Sequence, residues 1–254
     1  MPMEPSPLDG VALVLYQPQD VVNVAAIIRV MSNFGLSDLR LVEPAAFDPE
    51  RIAGIAHHTE PIIARTRRFP TLEAALADCG LTLGTTGRPR EIERPVYAPR
   101  DAAPQILAAS SAQRVAILFG PERDGLPNAA LDRCHGIITI PTHPFNRSLN
   151  LAQAALVIAY ELWMAAASPA SPSPAAAPHA PAPGEGLATG AEREALFAAI
   201  DELLLALYPG GSPTRRAASA ARLRALLMRA QPRPEEARAL TNLLRHAARA
   251  SRRS

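Results

Sequence analysis

Three short segments of this chain carry the residue types that could bind and turn over a polar ligand, and each follows or ends a strand-like run. The first is Asn23-Val-Ala-Ala-Ile-Ile-Arg29, an amide and a guanidinium in an otherwise apolar helical pattern. A lone Arg in such a helix ordinarily packs its stem and carries its head to water. Asn23 lies at the strand-facing end, so the pair is expected to put an amide and a guanidinium on the rim of a sheet. The second is Phe119-Gly-Pro-Glu-Arg-Asp-Gly-Leu126, a tight loop offering the carboxylate of Glu122; a simple turn is the plain alternative. The third is Ile140-Pro-Thr-His-Pro-Phe-Asn-Arg-Ser148-Leu-Asn150, which presents a hydroxyl, an amide and the free N–H groups of a helix start. Its plain alternative is a loop with Ser148 as the helix cap. The chain has neither G-x-G-x-x-G after its first strand nor G-x-x-x-x-G-K-[ST], which disfavours a dinucleotide enzyme or a P-loop ATPase. Cys79 and Cys134 lie far apart and no two His stand four apart, so no metal is expected.

The elements that must position these segments alternate. Val11–Tyr16 is a continuous apolar run, as a strand buried on both faces requires. Val21–Phe34 has helical spacing and ends at Gly35. Leu39–Val42, Leu81–Thr85, Val115–Phe119 and Ile137–Ile140 read as further strands, and Ile62–Arg65 as another. Asp48–Ala56, Leu72–Ala77 and Leu149–Ala167 read as helices. Such alternation predicts an α/β domain with a mostly parallel sheet covered on both faces. Residues 168–186 hold six prolines among Ala, Ser and Gly and read as an extended linker. Three helical patterns follow: Ala191–Leu207, Pro213–Ala230 and Pro234 to about Arg249. Leu203, Leu207, Leu223, Leu226, Leu227, Leu240, Leu243 and Leu244 are their candidate core.

Composition is that of a soluble globular protein, 48% hydrophobic and 20% charged over 254 residues. Nothing in Met1–Gly10 marks the chain for secretion and no apolar run could cross a bilayer, so a cytoplasmic protein with two reduced thiols is expected. Net charge is +2, unevenly spread: residues 1–190 hold 14 Arg against 18 acidic residues, and residues 191–254 hold 12 Arg against 6. Residues 212–254 alone carry 11 Arg and two Glu. A basic module beside a near-neutral one predicts a polyanionic partner, with Arg215, Arg216, Arg222 and Arg224 as candidate phosphate contacts because they cluster.

Taken in order, the three segments resemble the SpoU-type branch of the SPOUT superfamily of RNA ribose 2′-O-methyltransferases. Its pattern is an Asn, a small-residue stretch and an Arg, then F-G-x-E-x-x-G-L, then I-P followed by S-L-N. All three are present as Asn23…Arg29, Phe119…Leu126 and Ile140-Pro141…Ser148-Leu149-Asn150. Ala25 stands where the family usually has Gly, and Arg147 where relatives carry a small residue. The match runs through roughly residues 11–167, and the helical tail makes the layout most like the TrmJ group, which methylates the ribose of nucleotide 32 (cytidine or uridine) in the tRNA anticodon loop.

The resemblance implies a knotted domain over 1–167 with a C-terminal trefoil knot, a linker over 168–190, a basic helical module over 191–254 and a homodimer. It implies S-adenosylmethionine as cofactor, held by Thr85-Thr86-Gly87, by the segment from Gly120, and by Ile140, Arg147, Ser148 and Leu149, with adenine against Ile140 and Leu149. Asn23, Glu122, Ser148 and Asn150 would shape the catalytic pocket. Arg29 would take the proton of the attacking hydroxyl. A free guanidinium holds its proton, so either its surroundings must disfavour the charged form, or Arg29 orients ribose and phosphate while the proton leaves by another route. Competing expectations are the same chemistry on rRNA or at another tRNA position, a decayed homologue that only binds RNA, and a small-molecule α/β enzyme. The Arg-rich tail and the lack of a His/Asp/Ser set weigh against the last.

Overall fold

A computed structural model describes residues 5–87, 94–168 and 186–252. In chain order the first elements are β1 (Val11–Tyr16), α1 (Val21–Asn33), β2 (Asp38–Val42), α2 (Pro49–Ile55), α3 (Glu60–Arg65), β3 (Arg67–Phe69) and α4 (Leu72–Leu76). Next come β4 (Cys79–Thr85), β5 (Val96–Tyr97), α5 (Pro99–Ser110), β6 (Arg114–Phe119), α6 (Asn128–Leu131), β7 (Gly136–Ile138) and α7 (Leu151–Ala167). The tail supplies α8 (Gly190–Leu207), α9 (Pro213–Ala230) and α10 (Pro234–Ser251). The strands form one seven-stranded sheet in the order β3-β2-β1-β6-β4-β7-β5, and every described pair is parallel.

Burial on both faces explains the apolar runs. Leu13 and Leu15 of β1 face a core shared with Ile27, Ile28 and Met31 of α1, Ile106 of α5, and Ile158 and Leu162 of α7. Val14 faces the opposite core with Leu72 and Leu76 of α4, Leu131 of α6 and Cys134. Helices on both faces leave the C-terminal strand ends as the free edge, where open parallel sheets take ligands.

Two elements depart from the sequence reading. Ile62–Arg65 is helical, not a strand: Pro61 in the first turn and Glu60 at the start favour a helix N-terminus. The strand comes just after it, on the edge, where Arg67 and Arg68 hide any apolar pattern. Helix α5 escapes the apolar periodicity because Pro104 lies inside it, although Pro99 at its first position is a start signal.

The tail helices pack through Phe197, Ile200, Ala220 and Met228, with Leu204, Leu227 and Leu244 against them. Of the leucines expected in that core, Leu207, Leu223, Leu226, Leu240 and Leu243 are exposed. Most of the Pro-rich stretch, 169–185, lies outside the described residues. The start of α8 is fixed on the sheet. Buried Arg193 donates to the carbonyls of Gly80 (2.9 Å) and Ala188, and the Ala191 N–H donates to Ala77 (3.0 Å). Gly190 is required there, since a Cβ would stand 2.1 Å from the Leu76 carbonyl oxygen. Burial draws the Arg193 guanidinium down to about 10, still charged at neutral pH.

Arg193→Met keeps side-chain bulk but strands the Gly80 and Ala188 carbonyls. The expected loss is about 2–3 kcal/mol of stability, read as a lower urea midpoint. An unchanged midpoint would show that α8 is held by its apolar contacts alone.

Candidate active site

The loops after β1, β6, β4 and β7 gather at the C-terminal edge of the sheet. Because β1 and β6 are neighbours, the turn between β1 and α1 lies beside the loop that follows Phe119. Glu122 joins them. Its carboxylate accepts the N–H of Gln19 (3.0 Å), the N–H of Asp20 (3.2 Å) and the Asn23 side-chain amide (3.0 Å). Asn23 in turn accepts the Asn150 amide at 2.9 Å. Asn150 is the N-cap of α7: its oxygen accepts the N–H groups of Ala152 (2.9 Å) and Gln153 (3.4 Å). Gln153 answers by accepting the Asn150 N–H at 3.3 Å, closing a capping box. The cap is thus Asn150 and not Ser148, because Asn150 alone has a Gln three residues on to complete the box.

Partial burial opposes ionisation of Glu122, but the bonds from Asn23 and from the Gln19 and Asp20 backbone outweigh it and hold the carboxyl below its usual range. A carboxylate so engaged is a clamp rather than a proton acceptor.

A second cluster lies over β4 and β7. Thr85 donates its hydroxyl to the Leu118 carbonyl (3.1 Å) and Thr86 its N–H to Ile138 (3.2 Å). At Gly87 a Cβ would stand 2.6 Å from the Arg147 carbonyl, so the loop after β4 packs directly on the loop before α7. Ile140 and Leu149 are half-buried, while Arg147 and Ser148 are exposed. Gly120 directly follows the end of β6. A Cβ there would meet the backbone of Gly125 and Leu126 at 2.3 Å, so its bareness lets the loop fold back on itself. Gly125, with φ +66°, makes the turn.

Arg29 stands apart from the clamp. It lies six residues beyond Asn23, about 9 Å along the helix axis, and is exposed. Its guanidinium donates to the His57 carbonyl at 2.5 Å, which ties it to the turn between α2 and α3. The structure therefore brings Asn23, Glu122 and Asn150 into one bonded network, with Arg29 and Ser148 outside it. The Gln19 and Asp20 N–H groups and the His57 carbonyl are backbone atoms that carry no sequence label. Gln153 was legible as the Asn150-x-x-Gln153 spacing.

Other chemistry-bearing side chains serve the fold. His135 is buried, and its Nδ1 accepts the Thr82 N–H at 3.0 Å. Burial first, and then the charge of Arg193, hold its imidazole neutral. Burial pushes the thiols of Cys79 and Cys134 up to about 12, far from reactivity. Among the described residues no three His, Cys, Asp or Glu come together as a metal site would require, and no helix is long and apolar enough to cross a membrane.

The four tail arginines divide. Arg216 turns inward to the Tyr208 carbonyl (2.9 Å) and the Gly211 carbonyl. Arg224 pairs with Asp201 and lies 5.4 Å from the centroid of the Phe197 ring. Both are committed within the tail. Arg215 and Arg222 are exposed.

The chain is similar to known proteins in sequence and in fold. Residues 10–160 match the model of the SpoU rRNA methylase family, and the chain belongs to that family. Within it the likeness is to the TrmJ group. A tRNA (cytidine/uridine-2′-O-)-methyltransferase TrmJ of Klebsiella pneumoniae is 33% identical over 246 residues, 93% of this chain and 96% of the relative. The crystal structure of TrmJ from Z. mobilis ZM4 superposes with a TM-score of 0.77 at 32% identity, over 92% of this chain and 96% of that one.

Glu122→Gln replaces one acceptor oxygen by a donor, which would face one N–H at the Oε2 position or two at Oε1. The expected cost is about 1–2 kcal/mol in urea unfolding at pH 7. The folded carboxyl ionises below its unfolded value of about 4.3, so the wild-type clamp is fully present above that pH and is lost as pH falls through the folded value. The variant should therefore show a shallower loss of stability on acidification, and matching acid limbs would remove Glu122 from the clamp.

Proposed function

We propose that this protein transfers the methyl group of S-adenosylmethionine to a ribose 2′-hydroxyl of tRNA, at nucleotide 32 of the anticodon loop. What carries the reading is the Glu122–Asn23–Asn150 network, which joins all three family segments in space, in a chain whose full-length relatives are tRNA (cytidine/uridine-2′-O-)-methyltransferases.

The residues present fit the cofactor. Gly87 lets the loops after β4 and β7 close on each other, and the half-buried Ile140 and Leu149 offer apolar faces for adenine. Thr85, Thr86, Arg147 and Ser148 add backbone and side-chain polar groups around them. The bound cofactor supplies a methyl carbon made electrophilic by the sulfonium. Alignment of the ribose hydroxyl with that carbon would be the main task of the protein's own residues. Asn150 and Glu122 hold the start of α7 and the β6 loop in register for this alignment. Ser148, exposed at the end of the loop before α7, faces the substrate side.

Arg29 acts as an orienting cation for ribose and phosphate. It already donates to a carbonyl, the acceptor that suits a charged guanidinium. The proton of the hydroxyl would pass to solvent water. The protein works in the cytoplasm as a homodimer. The exposed Leu156, Tyr160, Trp163 and Met164 of α7 form a stripe, and a helix apolar on its outer side wants a second partner. Residues 1–167 would form the knotted catalytic unit and 191–254 the RNA-binding module, joined by the Pro-rich linker.

The test is mass-spectrometric mapping of ribose methylation in unmodified tRNA transcripts incubated with purified protein and S-adenosylmethionine. Methyl groups should appear at nucleotide 32. Arg29→Ala should lower turnover by about a hundredfold through lost orientation of the ribose and leave cofactor affinity nearly unchanged. Near-normal turnover would remove Arg29 from the reaction.

The tail offers a separate measurement. Arg215 and Arg222 together replaced by Gln should weaken tRNA binding and lower the salt slope by about two. A slope unchanged by the double substitution would place the tail outside the RNA interface.

A further inference from the structure

We propose that Phe145 is a stacking platform for an unpaired base of the RNA substrate, set at the mouth of the loops assigned above to the cofactor; the proposal rests on the ribose-methylating function. Phe145 is 94% exposed, more than any other large hydrophobic residue described. The loop holds it out. The Phe145 N–H donates to His143 Nδ1 at 3.3 Å, and the Asn146 N–H to the His143 carbonyl at 3.1 Å. The ring thus stands on a short turn whose other members, His143, Pro144, Asn146 and Arg147, are polar or small and also exposed.

Its place is informative. Two residues on, the Arg147 carbonyl lies against Gly87, so the turn is fixed to the loop after β4, beside Thr85 and Thr86. A solitary ring among polar neighbours differs from the leucine and aromatic stripe of α7, which suits a flat helical partner. One flat apolar face flanked by a guanidinium suits one flat aromatic ring joined to a phosphate, which is a nucleotide.

Reaction chemistry supplies the need. A ribose hydroxyl becomes accessible for in-line attack when its nucleotide leaves the stack, and a neighbouring base then loses a face. The phenyl ring replaces that face. It carries no hydrogen-bonding group, so it strengthens binding without reading base identity. Arg147, next but one in the chain, is placed to meet the adjoining phosphate.

The experiment uses full-length protein, a pool of unmodified bacterial tRNA transcripts and labelled S-adenosylmethionine. Phe145→Ala should raise KM for the RNA about tenfold or more with kcat little changed. Phe145→Trp should restore KM, and Phe145→Leu should not. Cofactor affinity by calorimetry and molecular mass by light scattering should match wild type in all three. An unchanged KM in Phe145→Ala overturns the proposal, as does rescue by Leu, which would show simple apolar contact. Weakened cofactor binding, or an altered mass, also overturns it by placing the ring on the cofactor or on a second copy. Failure of the wild-type protein itself to methylate any transcript would instead sink the proposed function.

Discussion

The carboxylate of Glu122 is the fixed point of this structure. A parallel sheet leaves its C-terminal loops as separate excursions, and nothing in strand pairing alone sets their mutual positions. Glu122 couples the loop after β6 to the turn after β1, more than a hundred residues away in sequence. Asn23 extends the coupling to Asn150, and the capping box makes that contact part of the start of α7. Glu122 accepts throughout, while Asn23 and Asn150 each donate one bond and accept another, so removal of one member leaves a partner unsatisfied. The strand order changes direction between β1 and β6, the position at which open α/β folds often leave a ligand crevice. Here Glu122 bridges that crevice. The loops after β4 and β7 pack against each other at Gly87 and Arg147.

Rigid and exposed groups divide the work. Asn23, Glu122 and Asn150 spend their hydrogen bonds on one another. Arg29, Phe145 and Ser148 face solvent, and of these only Arg29 has a firm tether, the His57 carbonyl. The bonded groups thus form a frame whose geometry is fixed, and the exposed ones stand outside it.

How much of this was legible in the sequence depended on the kind of signal. Val11–Tyr16 and Val115–Phe119 are apolar on consecutive residues, a pattern that a doubly buried strand produces, and both were placed within a residue. Ile62–Arg65 has the same apolar character but too few residues for periodicity to separate strand from helix; Pro61 was the better guide. The three family segments were legible by residue type, yet the bonds that join them end on backbone N–H groups of Gln19 and Asp20, which no side-chain pattern reveals. Gly120 stands out by residue type alone; that the backbone of Gly125 and Leu126 fills its Cβ position is a tertiary fact that no spacing reveals. In the tail, leucine spacing predicted amphipathic helices correctly and the packed face only in part, because the core is built around Phe197, Ile200 and Met228.

The arginines of the tail carry this last point into function. Counted by sequence they make one basic module, but a guanidinium has five donors and can be consumed inside a fold as readily as presented outside it. Arg193 is consumed by carbonyls of β4 and of its own N-terminal turn, Arg216 by carbonyls at the end of α8, and Arg224 by Asp201 and the face of Phe197. The guanidinium groups that face solvent are therefore fewer than the arginines of the tail, with Arg215 and Arg222 among the exposed ones. Arg193 adds a geometric consequence. It fixes α8 to the beginning of β4, and the far end of that strand runs into Thr85, Thr86 and Gly87. One seven-residue strand thus connects the anchor of the basic module to the loop that packs against Arg147. β4 pairs with β6 along most of its length, with a register shift between Cys79 and Leu81, and with β7 from Leu83 to Thr85, so the anchor of α8 and the loop after β4 lie at the two ends of one paired strand.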